Sequence, residues 1–368
     1  MRRYSNKDVR MTSRRGCIPI LLDTGQSTDT LDHSRMSIGI CAYNEEKSIG
    51  QLLDNLLTQQ GLPAESEIIV MCDGCTDKTE EIVASFSEKD SRIRMITEPE
   101  RKGKAPALNR LLRSYRGDAF IHIDADHIPS NGAIIRLFKL LKDNRIGAAQ
   151  GCQLPINQNE FMDRLGTTIS GLHIYAQEYF NSRAIGQHLG GGLFAIKRGV
   201  CDNVPEDIVN DDAYMGVMCN RKNLRVIFDK TSRVHFQSPR TVLELLAQRR
   251  RVVFGHLMVQ KETGVAPMVL EMCPAKHRLR ILIEWFAWNP TKVPYFAVCA
   301  LLEIYVNLRA RIDLVNKTGQ HKAWVIAKTT KLGPLFEYPA EKQQKAHRAP
   351  PNSKLGLLAI CEHRDRKH

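Results

Sequence analysis

The chain has 368 residues, 43% of them hydrophobic, enough for a substantial core in one large domain or two unequal ones. Its net charge of +13 is uneven: residues 1–35 hold 7 Lys and Arg against 4 Asp and Glu, residues 36–272 hold 29 against 29, and residues 273–368 hold 17 against 7. A neutral middle excludes a nucleic-acid groove there on charge, whereas basic flanks suit a polyanion or an anionic membrane surface.

Residues 1–35 read as a flexible basic arm, polar and turn-rich without sustained periodicity. Its opening, "MRRYSNKDVRMTSRRG", has no apolar stretch behind the basic residues, so no signal peptide is expected. "MSIGICA" (36–42) is then a short apolar strand ending in a polar loop, and "SIGQLLDNLLTQQ" has helical spacing at Ile49, Leu52, Leu53, Leu56 and Leu57. "SEIIVMCDGCTD" is a second strand ending in a polar loop, "KTEEIVASFSE" a helix and "SRIRMITEP" a strand edge. "KAPALNRLLRSY" reads as helix, "DAFIHIDAD" as strand, "NGAIIRLFKLLKD" as helix and "IGAAQGCQL" as strand. These four strand–helix alternations predict an α/β fold, a mostly parallel sheet with helices on both faces. Apolar runs without polar alternation fit strands buried on both sides.

The pattern loosens after residue 150. Gly190, Gly191 and Gly192 precede "LFAIKR", "NDDAYMGVMCNRKN" reads as loop into helix, and "LRVIFDKTSRVHF" as two short strands. "SPRTVLELLAQRRRVVFGHLMVQKETG" reads as a long amphipathic helix capped by Ser238 or Thr241. "AKHRLRILIEWFAW" mixes basic, aliphatic and tryptophan positions. The sixteen residues of "VPYFAVCALLEIYVNL" carry Glu303 and fall short of the ~20 of a spanning helix, so a buried or interfacial helix is expected. No internal repeat stands out, and the last thirty residues are expected to be poorly ordered. The ten cysteines are scattered. Cys72 and Cys75 have CxxC spacing, but no second pair or nearby histidine completes a zinc site, and their Asp-Gly centre reads as a turn. Scattered thiols suit a reducing cytosol.

In an open α/β sheet, ligands bind outside the carboxyl ends of the strands. Three polar clusters fall there, "AYNEE" (42–46), "CDGCTD" (72–77) and "DADHIP" (124–129), which places them on one rim. Asp124 and Asp126, two residues apart on an extended chain, point to the same side. Carboxylates this close resist joint ionisation unless a cation sits beside them, and oxygen ligands select Mg2+ or Mn2+.

"AYNEE", "CDGCTD", "GKAPALN", "DADHIP", "GGGLFAIKR", "DDAY" and "QRRR" come in the order and approximate spacing of family-2 glycosyltransferases, which the chain resembles from residue 36 to 255. The resemblance implies the GT-A fold, a Rossmann-like, mostly parallel sheet with helices on both faces. Beyond it, basic residues and tryptophans beside apolar stretches at 276–311 read as a helical, interfacial region, or else as a subdomain closing the cleft or an oligomer contact. The resemblance also implies Tyr43, Glu45, Asp73 and Lys104 in a nucleotide-sugar pocket; Cys72, where the family commonly has another aspartate, leaves the base open. Asp126 would ligate Mn2+ or Mg2+, and Asp124 the ribose or the metal. Asp212 matches the catalytic base, preceded by Asp211, and acidic residues also suit a helix N-terminus. Gly190–Gly192 would let backbone approach the acceptor. Gln248 and Arg251 match two positions of QxxRW, with Arg251 assisting the diphosphate, while Arg249 and Arg250 read as a solvated basic face. Val252 stands where polymerising members carry tryptophan, which implies one sugar per event. His235 admits a third metal ligand but reads as a packed strand histidine.

Together these readings predict a flexible arm (1–35), a catalytic domain (36–240), a helical, amphipathic, membrane-interfacial region (241–335) and a basic tail (336–368). The expected activity is a metal-dependent, inverting, non-processive transfer from a nucleotide sugar to a glycan, lipid-linked or small-molecule acceptor. The expected location is cytoplasmic, peripheral at the inner face of the cytoplasmic membrane, with no nucleic-acid partner. A sugar nucleotidyltransferase would want a glycine-rich basic loop after the first strand, which "AYNEEKS" lacks, and a polyanion-binding protein is suggested only by the pI of about 9.3.

Overall fold

The computed structural model describes residues 35–156, 160–186 and 188–316. The expectations for the arm before residue 35, for residues 317–335 and for the basic tail lie outside the described residues. From the amino end, β1 (Met36–Ala42), α1 (Ile49–Leu57), β2 (Glu67–Asp73), α2 (Thr79–Lys89), β3 (Ile93–Glu98), α3 (Lys104–Ser114) and β4 (Ala119–Ile123) alternate. A short β5 (His127–Pro129), α4 (Ala133–Leu140) and β6 (Ile146–Ile156) follow. Then come α5 (Glu160–Ser182), β7 (Leu193–Lys197), α6 (Asp211–Arg221), β8 (Arg225–Gln237), α7 (Val242–Thr263), α8 (Ala275–Trp288) and α9 (Val293–Asn316).

The strands form one sheet in the order β3-β2-β1-β4-β7-β6-β8-β5. β3, β2, β1 and β4 are parallel, as are β6 and β8, whereas β7 runs antiparallel to both β4 and β6, and β5 antiparallel to β8. The even apolarity of the strands has a direct cause: alternate residues feed two cores. Ile68 and Val70 pack with Leu52, Leu53 and Leu56 of α1 on one face, and Ile69 and Met71 with Leu108 and Leu111 of α3 on the other.

Three local readings change. The two strands expected at 225–237 are one strand, in which Gly151 opposes Asp229 but the next residue, Cys152, opposes Arg233. The three extra residues loop out, held by the Asp229 carboxylate, which accepts from Thr231 N, Thr231 Oγ1 and Ser232 Oγ. Helix α5, absent from the sequence reading, runs for 23 residues and buries Leu172, Ala176, Tyr179 and Phe180 at helical spacing. Arg249 and Arg250 are not a solvated face: they meet Glu303 and Asp313 of α9 at 2.5 Å. At the start of α7, Thr241 is the cap and Ser238 is not, since its side chain accepts from Glu244 N.

The Arg250–Asp313 pair joins α7 to α9 with the Asp313 side chain only 5% exposed. Asp313→Ala strands the guanidinium against α9 and is expected to lower the unfolding free energy by about 2 kcal/mol, read from urea denaturation. An unchanged midpoint would show that the pair contributes nothing.

Candidate active site

The loops after β1, β2 and β4 border one cavity of about 1280 Å³, together with the Gly190–Gly192 segment, the start of α6 and the inner face of α7. Tyr43, Glu45, Asp73, Lys104, Asp124, Asp126, Gly191, Asp211, Asp212, Gln248 and Arg251 all line it. His235 does not lie on this wall; it is buried on β8 with Nε2 3.3 Å from Ser130 Oγ, and burial pushes its imidazole down to about 4.

Two loops are sewn together at one end. Asn44, in the left-handed region at φ 53°, accepts from Thr76 N at 2.8 Å and donates to Thr76 Oγ1 at 3.0 Å. Glu45 accepts from Ser48 Oγ at the entry to α1. Asp73 accepts from the backbone N–H groups of Lys102 and Gly103, at 2.9 and 2.8 Å, so its carboxylate fixes the turn that leads into α3. The Arg101 guanidinium lies over the Tyr43 ring at 3.8 Å.

Lys104, at the first position of α3, sits at the centre. Its Nζ is 2.9 Å from Asp124 Oδ1 and 3.6 Å from Asp211 Oδ1, with the side chain only 14% exposed. Lys104 is thus part of the cavity wall and not a solvated surface lysine. Burial would lower its ammonium, but Asp124, Asp211 and Asp212 outweigh it and push the pKa up. Burial likewise would raise the Asp124 carboxyl, but Lys104 and a 3.1 Å contact from His122 Nε2 hold it well below the usual range. For Asp212, burial wins, with Asp211 adding to it, and the carboxyl is pushed up to about 6. Asp211 and Asp212 open α6, where the helix dipole favours negative charge. Arg251 is buried among the carboxylates; burial pulls its guanidinium down, against Asp124, Asp211, Asp212 and Asp126.

Two glycines make this crowding possible. A Cβ on Gly191 would stand 2.9 Å from Asp212 Oδ2 and 3.9 Å from Asp124 Oδ2, so this backbone lies between the two carboxylates. A Cβ on Gly255 of α7 would strike Asn210 Oδ1 at 2.1 Å. Its absence lets Asn210 reach Val252 O at 3.0 Å and pins the start of α6 against α7.

The donor set fits a hard divalent ion. Asp126 Oδ1 meets His127 Nδ1 at 2.7 Å, which leaves Oδ2 for a ligand, and Asp211 Oδ2 is buried without a hydrogen-bond partner among the described residues. No group of three His, Cys, Asp or Glu arranged to hold a metal occurs among the described residues. Two carboxylates with oxygen donors alone suit an ion that completes its shell with substrate phosphates and water. Sequence reasoning missed His122, Arg101, and Gln150 and Gln153, which bond the backbone of Gly190 and Gly191. Only His122 carried a signal, two residues before Asp124 on the same strand face.

Residues 37–204 match the family described as glycosyl transferase family 2. The probable glycosyltransferase YdaM of Bacillus subtilis is 38% identical over 121 residues, 32% of this chain and 29% of that protein. Beta-monoglucosyldiacylglycerol synthase of Nostoc sp. is 26% identical over 183 residues, 48% of this chain and 39% of that one. The chain thus spans between 29% and 39% of the length of these curated relatives. A mannosyltransferase from Pyrobaculum calidifontis, solved in complex with GDP-Man and Mn2+, shares the fold, with a TM-score of 0.52 at 21% identity over 81% of this chain and 87% of its own.

The raised pKa of Asp212 has a stability consequence. The folded protein holds this proton more tightly than the unfolded chain, so the stabilisation is complete below about pH 4 and is lost as pH rises through about 6. Asp212→Asn is therefore expected to be more stable than the parent by about 1–2 kcal/mol at pH 7, and equal to it near pH 4, in metal-free denaturant titrations. Equal stability at both pH values would refute the buried-carboxylate cost.

Proposed function

We propose, from the match of residues 37–204 to glycosyl transferase family 2, that the chain is a member of that family and moves one sugar from a nucleoside-diphosphate sugar to an acceptor hydroxyl, with inversion. The observation that carries this reading is the convergence of Lys104, Asp124, Asp211 and Asp212 around the Gly191 backbone in one cavity.

Each side chain then has a task. Tyr43, Glu45 and Asp73 border the end that receives the nucleoside, and Asp73 holds the 102–103 turn against it. Asp126, with Asp124 beside it, would hold Mn2+ or Mg2+, whose chemistry when bound is to neutralise the charge that grows on the departing diphosphate. Lys104 and Arg251 bring positive charge to the same region, and Lys104 sets the position of Asp124. Asp212 takes the proton of the acceptor hydroxyl as that oxygen attacks the anomeric carbon. A pKa of about 6 keeps Asp212 ionised at neutral pH yet basic enough for the transfer. Gly191 leaves room for the acceptor beside Asp212. No covalent enzyme intermediate is needed for a single displacement. Val252 in place of a stacking tryptophan supports transfer of one sugar per event.

The test is release of nucleoside diphosphate from a panel of UDP-, GDP- and dTDP-sugars with Mn2+. Asp212→Asn is expected to bind donor normally and lose about 10²–10⁴ in turnover. Asp126→Ala is expected to lose metal-dependent donor binding by calorimetry. In the parent, kcat/KM should fall as pH drops below about 6, because protonation removes the base. Parental turnover in Asp212→Asn would remove that residue from the mechanism.

A further inference from the structure

We infer that α9 lies in the interface of an anionic lipid bilayer and that the acceptor hydroxyl reaches the cavity on a lipid entering from that bilayer. The second half rests on the transferase reading above; the first does not.

Helix α9 is apolar on its outer face as well as its inner one, where Cys299, Val306 and Ala310 are buried. Its acidic side chains point inward, Glu303 to Arg249 and Asp313 to Arg250. Outward, Val298, Leu301, Ile304, Tyr305, Leu308 and Ile312 recur at three- and four-residue steps, with Leu301 69%, Ile304 67% and Leu308 59% exposed. A helix packed on a water-soluble protein shows the opposite pattern. Over residues 290–316 the best window has a mean hydropathy of 1.3, yet only 17% of it is buried. Helix α8 adds exposed Leu279, Ile283 and Trp288. Exposed apolar surface on this scale marks an interaction site.

The occupant follows from chemistry. Aromatic residues and basic side chains beside an apolar helix face suit the headgroup boundary of a membrane, and Trp288, Tyr305, Lys276, Arg280 and Arg311 are all exposed here. From residue 273 onward the chain carries 17 basic against 7 acidic residues, which favours anionic headgroups. The helix is long enough to span, but spanning would draw Glu303 and Asp313 from their arginines into hydrocarbon. Held to α7 by those pairs, it lies flat with its outer half in the lipid. Ile304 and Arg311 belong to this outer face and also line the cavity that contains Asp212. The cavity therefore opens beside the lipid. Beside α9 its wall includes Leu282, Phe296 and Ala300 next to Glu303, Asn307 and Arg278, an apolar patch among polar groups that suits an amphipathic lipid.

The experiment uses the full chain and vesicles of phosphatidylcholine, with and without phosphatidylglycerol, in flotation at low salt. The parent is expected to float with the anionic vesicles. The double variant Leu301→Glu, Leu308→Glu is expected to lose at least about tenfold in partition. Its Mn2+-dependent donor binding should be unchanged, since neither residue lines the cavity. A parent that stays in solution, or a double variant that floats equally well, overturns the membrane assignment. So does a parental dimer in light scattering that the double variant converts to monomer, because α9 would then be a self-association surface. Labelled donor supplied with vesicles of a total lipid extract is expected to yield label in the organic phase. Label that stays in water, as product or unreacted donor, overturns the lipid acceptor. Lost donor binding in the parent instead overturns the transferase reading and leaves the membrane result standing.

Discussion

The ammonium of Lys104, set between Asp124 and Asp211, is the contact on which the rest of the site depends. Three segments meet there: the start of α3, the end of β4 and the start of α6. Asp124, Asp126, Asp211 and Asp212, crowded into one part of the cavity, would repel one another and drive these segments apart. One largely buried lysine, with His122 Nε2 at 3.1 Å, offsets enough of that repulsion for Asp124 to stay ionised. The offset is uneven. Asp212 is left with burial and Asp211 against it and retains a high proton affinity. Carboxylates of one residue type thus acquire distinct properties from their surroundings alone.

Sheet topology supplies the other half of the arrangement. β7 inserts antiparallel beside β4, with Leu193 opposite Ile123, and Asp124 N donates to Gly192 O one residue further on. A strand that arrives antiparallel brings its preceding loop to the carboxyl end of its neighbour. The glycine run therefore reaches the aspartates although more than sixty residues separate them in the chain, and it can lie between Asp124 and Asp212 because it has no side chains.

What the sequence made legible follows from the range of each interaction. The strands from β1 to β4 and the helices between them declare themselves through local periodicity, and the polar clusters after β1, β2 and β4 mark the rim. The glycosyltransferase-like motif order then put Lys104, Asp212 and Arg251 in view. Their mutual geometry was not legible, because Lys104 meets Asp211 only after α6 docks. The same holds for Arg249 and Arg250, whose partners lie 54 and 63 residues away. Read alone, "QRRR" is a basic face; with α9 in place it is a clasp. Helix α5 was missed although Leu165, Leu172, Ala176, Tyr179 and Phe180 lie at helical spacing, since Gly166, Gly171 and adjacent threonines dilute its propensity. The outward loop in β8 is invisible to alternation, because three extra residues break the period.

The Asn44–Thr76 stitch and the α7–α9 clasp give the two ends of the cavity different tolerances. At the Asn44 end, short hydrogen bonds join neighbouring loops that the sheet itself positions. At the far end, α9 is held by the Arg249–Glu303 and Arg250–Asp313 pairs together with Cys299, Val306 and Ala310, which pack on α5 and α7. Were the clasp to open, water would enter the cavity beside α9 while the Asn44 end, positioned by the sheet, kept its shape.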